Sequence, residues 1–322
     1  MAVAETIPLS SLDLVGTSQI IPGGTLRLTP NYDTNPGSPV APAGAAWTPT
    51  EFNVASPFSV NFQFQFTDPT GHLDGTHGGD GIAFLIQNSS AGDSAIGEGA
   101  GGMGFLGISD SVAVMLDTYQ NSSPNYYGDP SDNYIAVNTR GTDFNVPHHF
   151  CTGGLLTDDA AIGSDLTGSS FSPDCTANPT LGMTSYGGVP PLAVDMDNGQ
   201  VHDLDITYTG TALDIYLDSA LVLAVSIDLA TTLDLQGGTD AFLGFTAGTR
   251  FAYQNQDILS FNVSTPEPVW SQLWVPLAML LAMVSNVYPN VPPAPLLYFP
   301  FIYAAYLLLA LLWFWISRKS RA

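Results

Sequence analysis

The chain has 322 residues, of which 29 are acidic and 6 are Lys or Arg, so its formal net charge is −23. This charge excludes a protein that binds nucleic acid by neutralising phosphates, because such binding needs clustered basic side chains. A hydrophobic content of 45%, with 32 Gly and 24 Pro, predicts a large packed core and many turns.

The first strand signals are hydrophobic patterns in the N-terminal half. Within 58–66, Phe or Val at every second position alternates with polar residues, which is typical of a half-buried antiparallel strand. Segments 82–86 and 112–116 are apolar at every position, which predicts central strands covered on both faces. No segment before Pro266 has sustained helical periodicity. Residues 1–264 are therefore predicted to form an all-β domain, a two-sheet antiparallel sandwich.

A segment rich in Gly, Ser, Asp and Pro, residues 148–191, is predicted to be a long loop. It contains Cys151 and Cys175, the only cysteines of the chain. One disulfide between them would close the loop in an oxidising compartment. Two unpaired buried thiols are the alternative.

The C-terminal region has a different composition and is predicted to anchor the protein in a membrane. Residues 265–268 form a linker, and 269–295 form a short apolar segment with a Pro-rich connection. Residues 296–317 are predicted to be a transmembrane helix, since the run has no charged residue and about 20 apolar residues cross a bilayer. Residues 318–322 are basic, which predicts a cytoplasmic C-terminus and a domain at the cell surface or on the periplasmic side.

A candidate metal loop follows the apolar segment 112–116. This strand delivers Asp117 to its end, and the next turn offers Asn121, Asp129 and the main-chain carbonyl of Tyr119. Carboxylate, amide and carbonyl oxygens are the ligands that Ca²⁺ prefers. From spacing alone, an ordinary polar turn with Asx hydrogen bonds is the alternative.

Five motifs follow one another along the chain, namely GGDGIAFLIQ (78–87), GGMGFLGI (101–108), GDPSDNYIAV (128–137), HDLDITYTGTALDIYLD (202–218) and FTAGTRFAYQNQDILSF (245–261). In this order they resemble the legume-type (L-type) lectins, and more closely their bacterial branch, over about residues 8–264. The resemblance implies a concanavalin A-like jelly roll. It also implies possible homo-oligomers, because plant members of the family pair their sheets into dimers.

The resemblance also implies a calcium site beside a sugar site. The implied calcium ligands are Asp117, Tyr119 through its carbonyl, Asn121 and Asp129. The implied sugar contacts are Asp80, Gly101 or Gly102 through a backbone N–H, Tyr119, Asn121, Arg250 and Phe251. Such a set is chemically sound, because a carboxylate accepts hydroxyls, an amide donates and an aromatic ring covers a C–H surface. A cis peptide bond is implied at Gly79–Asp80.

One departure from the family pattern concerns a second, transition-metal site. The family uses a Glu two residues before the shared Asp and a His after the second Asp. Here these positions hold Met115 and Tyr134. A thioether and a phenol do not suit a Mn-type ion, so Ca²⁺ is the only metal expected.

The function predicted from these observations is calcium-dependent, non-catalytic binding of glycans or a polysaccharide at a cell surface. The first alternative is a structural or adhesive surface or assembly protein that keeps the calcium-stabilised fold without sugar binding. The second is a glycoside hydrolase of the same fold. Retaining hydrolysis needs two carboxyl groups about 5 to 5.5 Å apart, and only Asp117 is acidic among Met115, Asp117 and Tyr119 on one strand face.

The tail also resembles a bacterial PEP-type sorting signal. Pro266, Glu267 and Pro268 match the motif, and the basic residues within 318–321 match the terminal cluster. Two apolar runs separate them instead of one, so cleavage of the tail is a hypothesis beside permanent anchoring.

Overall fold

The computed structural model describes most of the N-terminal region of the chain. The described residues are 2–34, 37–38, 40–70, 78–121, 129–147, 180–186, 191–235 and 238–266. The chain divides into two units, and the one described below comprises Ala4–Thr265. The other unit lies almost entirely outside the described residues.

The described residues form seventeen strands and one short α-helix. In chain order they are β1 (Ala2–Thr6), β2 (Asp13–Gly16), β3 (Gln19–Ile20), β4 (Leu26–Thr29), β5 (Ala43–Trp47), β6 (Phe52–Asn53), β7 (Phe58–Thr70), β8 (Gly81–Gln87), β9 (Ser111–Asp117), β10 (Tyr134–Thr139), β11 (Thr180–Tyr186), β12 (Pro191–Leu192), β13 (Val201–Tyr208), β14 (Ala212–Leu217), β15 (Ala220–Ser226), α1 (Leu229–Thr232), β16 (Asp240–Gly248) and β17 (Tyr253–Pro266).

The strands build two sheets, which confirms the predicted all-β sandwich. The eight-stranded sheet has the order β15-β14-β13-β7-β17-β4-β3, with β1 beside β17. The nine-stranded sheet has the order β12-β11-β10-β9-β8-β16-β5-β2, with β6 beside β16. Neighbouring strands far apart in sequence, such as β7 and β17, show the crossed connections of a jelly roll.

The hydrophobic patterns of β7, β8 and β9 predict their burial correctly. Along β7, the residues from Phe58 to Phe66 alternate between buried and half-buried positions. Every residue of β8 and β9 is buried, as their continuous apolar runs predict for strands covered on both faces.

Two apolar clusters cover the two faces of the nine-stranded sheet. The main core lies between the sheets, where Phe62 of β7 and Phe261 of β17 meet Phe245 of β16 with ring centroids 4.9 and 5.0 Å apart. A second cluster lies on the other face and includes Trp47, Phe105 and Met115 together with Tyr134. This second cluster explains why β8 and β9 have no polar face.

The prediction of an uninterrupted loop over 148–191 is wrong in part. Within that segment, β11 pairs with β10 in antiparallel register, from Tyr134–Ser185 to Asn138–Thr180. It also pairs in parallel with the short β12, so the sheet is not wholly antiparallel. Cys151 and Cys175 lie outside the described residues, and their disulfide stays a prediction.

The predicted tail also lies outside the described residues. Within the part of the chain that the structure describes, no helix has the length and apolar character needed to cross a membrane. Segment 296–317 is not among those residues, so its helix stays a prediction.

Candidate functional site

One end of the nine-stranded sheet collects the residues that the sequence singles out. Four neighbouring strands place Tyr134, Asp117, Gly81 and Gly248 in one row, since Tyr134 pairs with Asp117, Asp117 with Gly81 and Gly81 with Gly248. Asp117 is the last residue of β9, while Gly81 and Tyr134 begin β8 and β10. Because neighbouring strands are antiparallel, these strand ends lie at the same end of the sheet, where the connecting loops meet; we call this end the edge of the site.

The loop before β8 carries Asp80, and the Gly79–Asp80 peptide bond is cis as predicted. The Asp80 N–H donates to the carbonyl of Gly248 at 2.9 Å. The Asp80 carbonyl accepts from the N–H of Thr118 at 3.0 Å. These bonds hold the Asp80 backbone between the ends of β9 and β16. Asp80 is only 3% exposed.

Glycine is required at two points of this edge. At Gly81, φ is +140°, and a Cβ would lie 2.2 Å from the carbonyl oxygen of Leu116. At Gly248, a Cβ would lie 2.5 Å from the carbonyl oxygen of Ala100. The segment Ala100–Gly102 therefore approaches the row closely only because residue 248 has no side chain.

Asp117 and Asp129 form a buried carboxylate pair with Tyr134 between them. The Tyr134 hydroxyl donates to Asp129 Oδ1 at 2.7 Å and lies 3.2 Å from Asp117 Oδ2. The other oxygen of each acid accepts a backbone N–H, from Tyr119 to Asp117 at 2.9 Å and from Asn121 to Asp129 at 2.6 Å. Both acids are thus fixed in direction, and they are 2% and 5% exposed.

The pKa values of both acids are raised, which shows that the site lacks positive charge to stabilise two carboxylates. Burial raises the pKa of Asp117 well above its ordinary 3.8, and the charges of Asp129 and Asp80 raise it further. Burial raises the pKa of Asp129 to about 7. The pKa of Tyr134 is also raised, first by burial and then by the charge of Asp117, so the hydroxyl keeps its proton. Two adjacent acids that resist ionisation are suited to a divalent cation, which offsets both charges.

The residues present fit calcium as the resemblance implies. The structure places the four expected residues next to one another. The Asn121 amide nitrogen donates to the Tyr119 carbonyl at 3.5 Å, and the backbone N–H groups of Tyr119 and Asn121 bind the two acids. Carboxylate, amide and main-chain oxygens match the preference of Ca²⁺. Among the described residues, no group of three or more His, Cys, Asp or Glu could hold a metal. A metal held here would therefore have two acidic ligands and would take neutral oxygens and water for the rest.

The other predicted sugar contacts surround this edge. Phe251, in the turn between β16 and β17, is 72% exposed, and the Arg250 guanidinium carbon lies 5.1 Å from its ring centroid. The ring of Tyr119 packs against Gly79, where a Cβ would lie 3.3 Å from it. The Gly102 N–H already donates to the carbonyl of Gly99 at 3.0 Å, so Gly102 would have to break that bond to meet a ligand.

Sequence reasoning missed two residues of the site, Gln254 and Gln256 on β17. The Gln256 amide donates to the carbonyls of Gly79 at 3.1 Å and Gly248 at 2.8 Å. The Gln254 amide donates to the Thr118 hydroxyl at 2.7 Å. Both side chains are at most 1% exposed. One signal in the sequence could have identified them. Gln254 and Gln256 lie on the same face of the strand as the apolar Ile258, where a strand that packs on a core normally has apolar residues.

The fold and this site define the class of the protein. The family model described as the legume lectin beta-barrel domain matches residues 4–262. The chain therefore belongs to the legume lectin (L-type lectin) domain family.

Solved structures similar to the chain include three plant lectins. The acidic lectin of winged bean, complexed with methyl-α-D-galactose, is 19% identical with a TM-score of 0.52, over 82% of this chain and 98% of that one. The lectin of Bauhinia forficata, in complex with GalNAc, is 18% identical with a TM-score of 0.53, over 82% and 98%. Lectin II from Ulex europaeus is 18% identical with a TM-score of 0.55, over 82% and 99%. These likenesses establish the shared fold.

Proposed function

We propose that the protein is a calcium-dependent, non-catalytic carbohydrate-binding protein. The observation that carries the proposal is the placement of the Asp117–Asp129 pair beside Asp80 at one end of the nine-stranded sheet. The pair would hold calcium, and Asp80 would bind the sugar. Membership of a lectin family supports this assignment.

Each residue of the calcium site has a separate task. The oxygens of Asp117 and Asp129, which backbone N–H groups orient, would supply the two negative charges. The Tyr119 carbonyl and the Asn121 amide oxygen would add neutral ligands. The ion would supply positive charge that offsets the buried acids and would hold the segment 117–121 against Asp129. In the structure the Asn121 amide nitrogen donates to the Tyr119 carbonyl at 3.5 Å. With the ion bound, the amide would turn its oxygen to the ion and its nitrogen to a sugar hydroxyl.

The sugar contacts combine polar groups with an exposed ring. The Asp80 carboxylate would accept hydrogen bonds from hydroxyls, while Phe251 offers an apolar surface to the C–H face of a hexose. Arg250, which lies over the Phe251 ring, would hold that ring in place. The galactoside and GalNAc of the winged bean and Bauhinia complexes support hexoses as the ligand class.

The same geometry argues against glycoside hydrolysis by this carboxylate pair. Hydrolysis needs one acid that reaches the leaving oxygen and a second that reaches the sugar ring or a water. Asp117 and Asp129 are buried, and all four of their oxygens meet Tyr134 or a backbone N–H. Acids held in this way are suited to a metal rather than to proton transfer.

A glycan array tests the proposed function. Wild-type protein is expected to bind hexose-containing glycans in calcium and to lose binding in chelator. Asp80→Asn is expected to weaken glycan binding at least about tenfold while calcium uptake stays unchanged, because an amide cannot accept from two hydroxyls as a carboxylate does. Asp205→Asn is the matched control, since Asp205 lies on the eight-stranded sheet and bonds to Asn61.

Two outcomes of the array contradict the proposal. Binding that persists in chelator would refute calcium dependence. No glycan binding at saturating calcium, in protein that takes up calcium, would support the structural or adhesive alternative instead.

The proposal includes display of this domain at a membrane by the tail. The uncharged segment 296–317 and the basic residues after it support an anchoring helix, and the PEP motif supports the bacterial branch of the family with a sorting signal. Intact protein is expected in the membrane fraction, with Ala322 present by mass spectrometry. A mature protein that ends near Pro268 would contradict permanent anchoring and support removal of the tail.

A further inference from the structure

Tyr134 stands where the family pattern has a metal-binding histidine, and it makes a contact of its own with both buried acids. Its single hydroxyl reaches one oxygen of each buried acid, Asp129 at 2.7 Å and Asp117 at 3.2 Å. A tyrosine hydroxyl has one proton, and the two distances place it in a three-centre hydrogen bond, mainly to Asp129 and more weakly to Asp117. The second contact then keeps Asp117 turned toward the same point. One neutral group thus bridges the two carboxylates.

The ring of Tyr134 is fixed as firmly as its hydroxyl. Tyr134 is fully buried and belongs to the apolar cluster on the outer face of the nine-stranded sheet, with Met115, Met103 and Ala136. Its Cα is paired with that of Asp117 across β9 and β10. Side-chain packing and strand register together determine where the hydroxyl lies, so this bridge is preorganised.

The same surroundings do not fit the transition metal that the family pattern implies. That metal would need hard or imidazole ligands at positions 115 and 134, where a thioether and a phenol stand. Neighbouring members of the cluster, such as Ala83, Leu85 and Phe105, are apolar. A second dication at this point would find no ligand at positions 115 and 134 to replace the water that it loses.

We propose that the Tyr134 hydroxyl replaces the second cation as the group that holds Asp117 and Asp129 together, and that Tyr134 thereby positions the ligands of a one-ion calcium site. The hydroxyl directs one oxygen of each acid and adds no positive charge. Both negative charges therefore remain for a single Ca²⁺. This inference rests on the proposed calcium binding.

The test is the calcium affinity of Tyr134→Phe, measured by isothermal titration calorimetry on the full chain. This change removes the hydroxyl and keeps the packed ring. Groups that orient metal ligands typically change affinity 10- to 100-fold when removed, and a fall of about that size is expected. Stability is measured in parallel by thermal unfolding without calcium.

Tyr208→Phe is the matched control. Tyr208 is also buried, and its hydroxyl donates to Gly210 at 2.8 Å and accepts from the N–H of Leu229 at 3.1 Å, away from the carboxylate pair. Tyr208→Phe is expected to lower the unfolding temperature and to leave calcium affinity within about twofold of wild type. If lost stability alone weakened calcium binding, calcium affinity would fall in both variants.

The number of ions is the second measurement. Wild-type protein in saturating calcium is expected to bind no further Co²⁺ or Mn²⁺, and one divalent ion per chain supports the inference. A second ion overturns it. Unchanged calcium affinity in Tyr134→Phe also overturns it while the proposed function stands. A wild-type protein that takes up no calcium overturns the proposed function itself.

Discussion

Asp117→Asn is expected to lower calcium affinity on the order of 100-fold and to remove glycan binding with it. The change takes one of two negative charges from the ion and leaves the shape of the side chain almost unaltered. Asp117 ends a fully buried strand, where Tyr119 and Tyr134 fix both of its oxygens. Among the described residues, no third acid forms a metal-holding group with Asp117 and Asp129, and the proposal assigns Asp80 to the sugar.

The same variant has a diagnostic effect on stability. Without calcium, the amide relieves the repulsion between Asp117 and Asp129, so Asp117→Asn is expected to raise the unfolding temperature of the calcium-free protein. With calcium, it is expected to lose the further rise that wild type shows. Calorimetry and thermal unfolding measure both effects, with Asp205→Asn as the control for a lost charge. Wild-type calcium affinity in Asp117→Asn would refute the proposed site.

The calcium-free protein is expected to become less stable as pH rises from about 4 to 7. An unfolded aspartate has a pKa of about 3.9, whereas Asp129 in the folded protein has a pKa of about 7. Between these values the folded state keeps a proton that the unfolded state has released, so the free energy of unfolding falls with rising pH. The shift from 3.8 to about 7 corresponds to at most about 4 kcal/mol for this group.

Calcium is expected to reverse this slope. The ion binds the ionised carboxylates, so its stabilisation grows as they lose their protons. Urea unfolding between pH 4.5 and 7.5, in calcium-depleted and calcium-saturated protein, measures the effect. Asp129→Asn isolates the contribution of this group, because the variant cannot titrate there and its slope in the depleted protein should be smaller. Equal slopes in wild type and Asp129→Asn would contradict the assignment.

Local sequence patterns predicted the strands whose burial is regular, either alternating or continuous along the strand. Phe58–Phe66 and the apolar runs of β8 and β9 have the periodicity that their positions demand. β11 was not predicted because its sequence, TLGMTSY, is rich in Gly, Ser and Thr and lies in a segment of loop-like composition. Its pairing with β10 depends on tertiary structure and cannot be predicted from composition.

The site was predictable where one residue type is chemically necessary. Asp117, Asn121 and Asp129 were singled out because calcium takes oxygen ligands and because their loop resembles the metal loop of the L-type lectins, and the structure places them next to one another. The opposite holds for Tyr134 and Gln256, because strand pairing and the packing of the two sheets decide which groups their side chains meet. A sequence shows that position 134 lacks a histidine, but only the fold shows that a phenol at that position reaches both acids.

Gln256 has a mechanical consequence for recognition. It belongs to the eight-stranded sheet, yet its amide binds Gly79 and Gly248, which flank Asp80 on the opposite sheet. A displacement of the eight-stranded sheet relative to the nine-stranded sheet would therefore move the Gly79–Asp80 loop, which is proposed to bind the sugar. A pull on a sugar bound at the proposed site would reach the eight-stranded sheet partly through this amide and partly through the Gln254–Thr118 hydrogen bond, so retention of the ligand under load would depend on how firmly the two layers hold together.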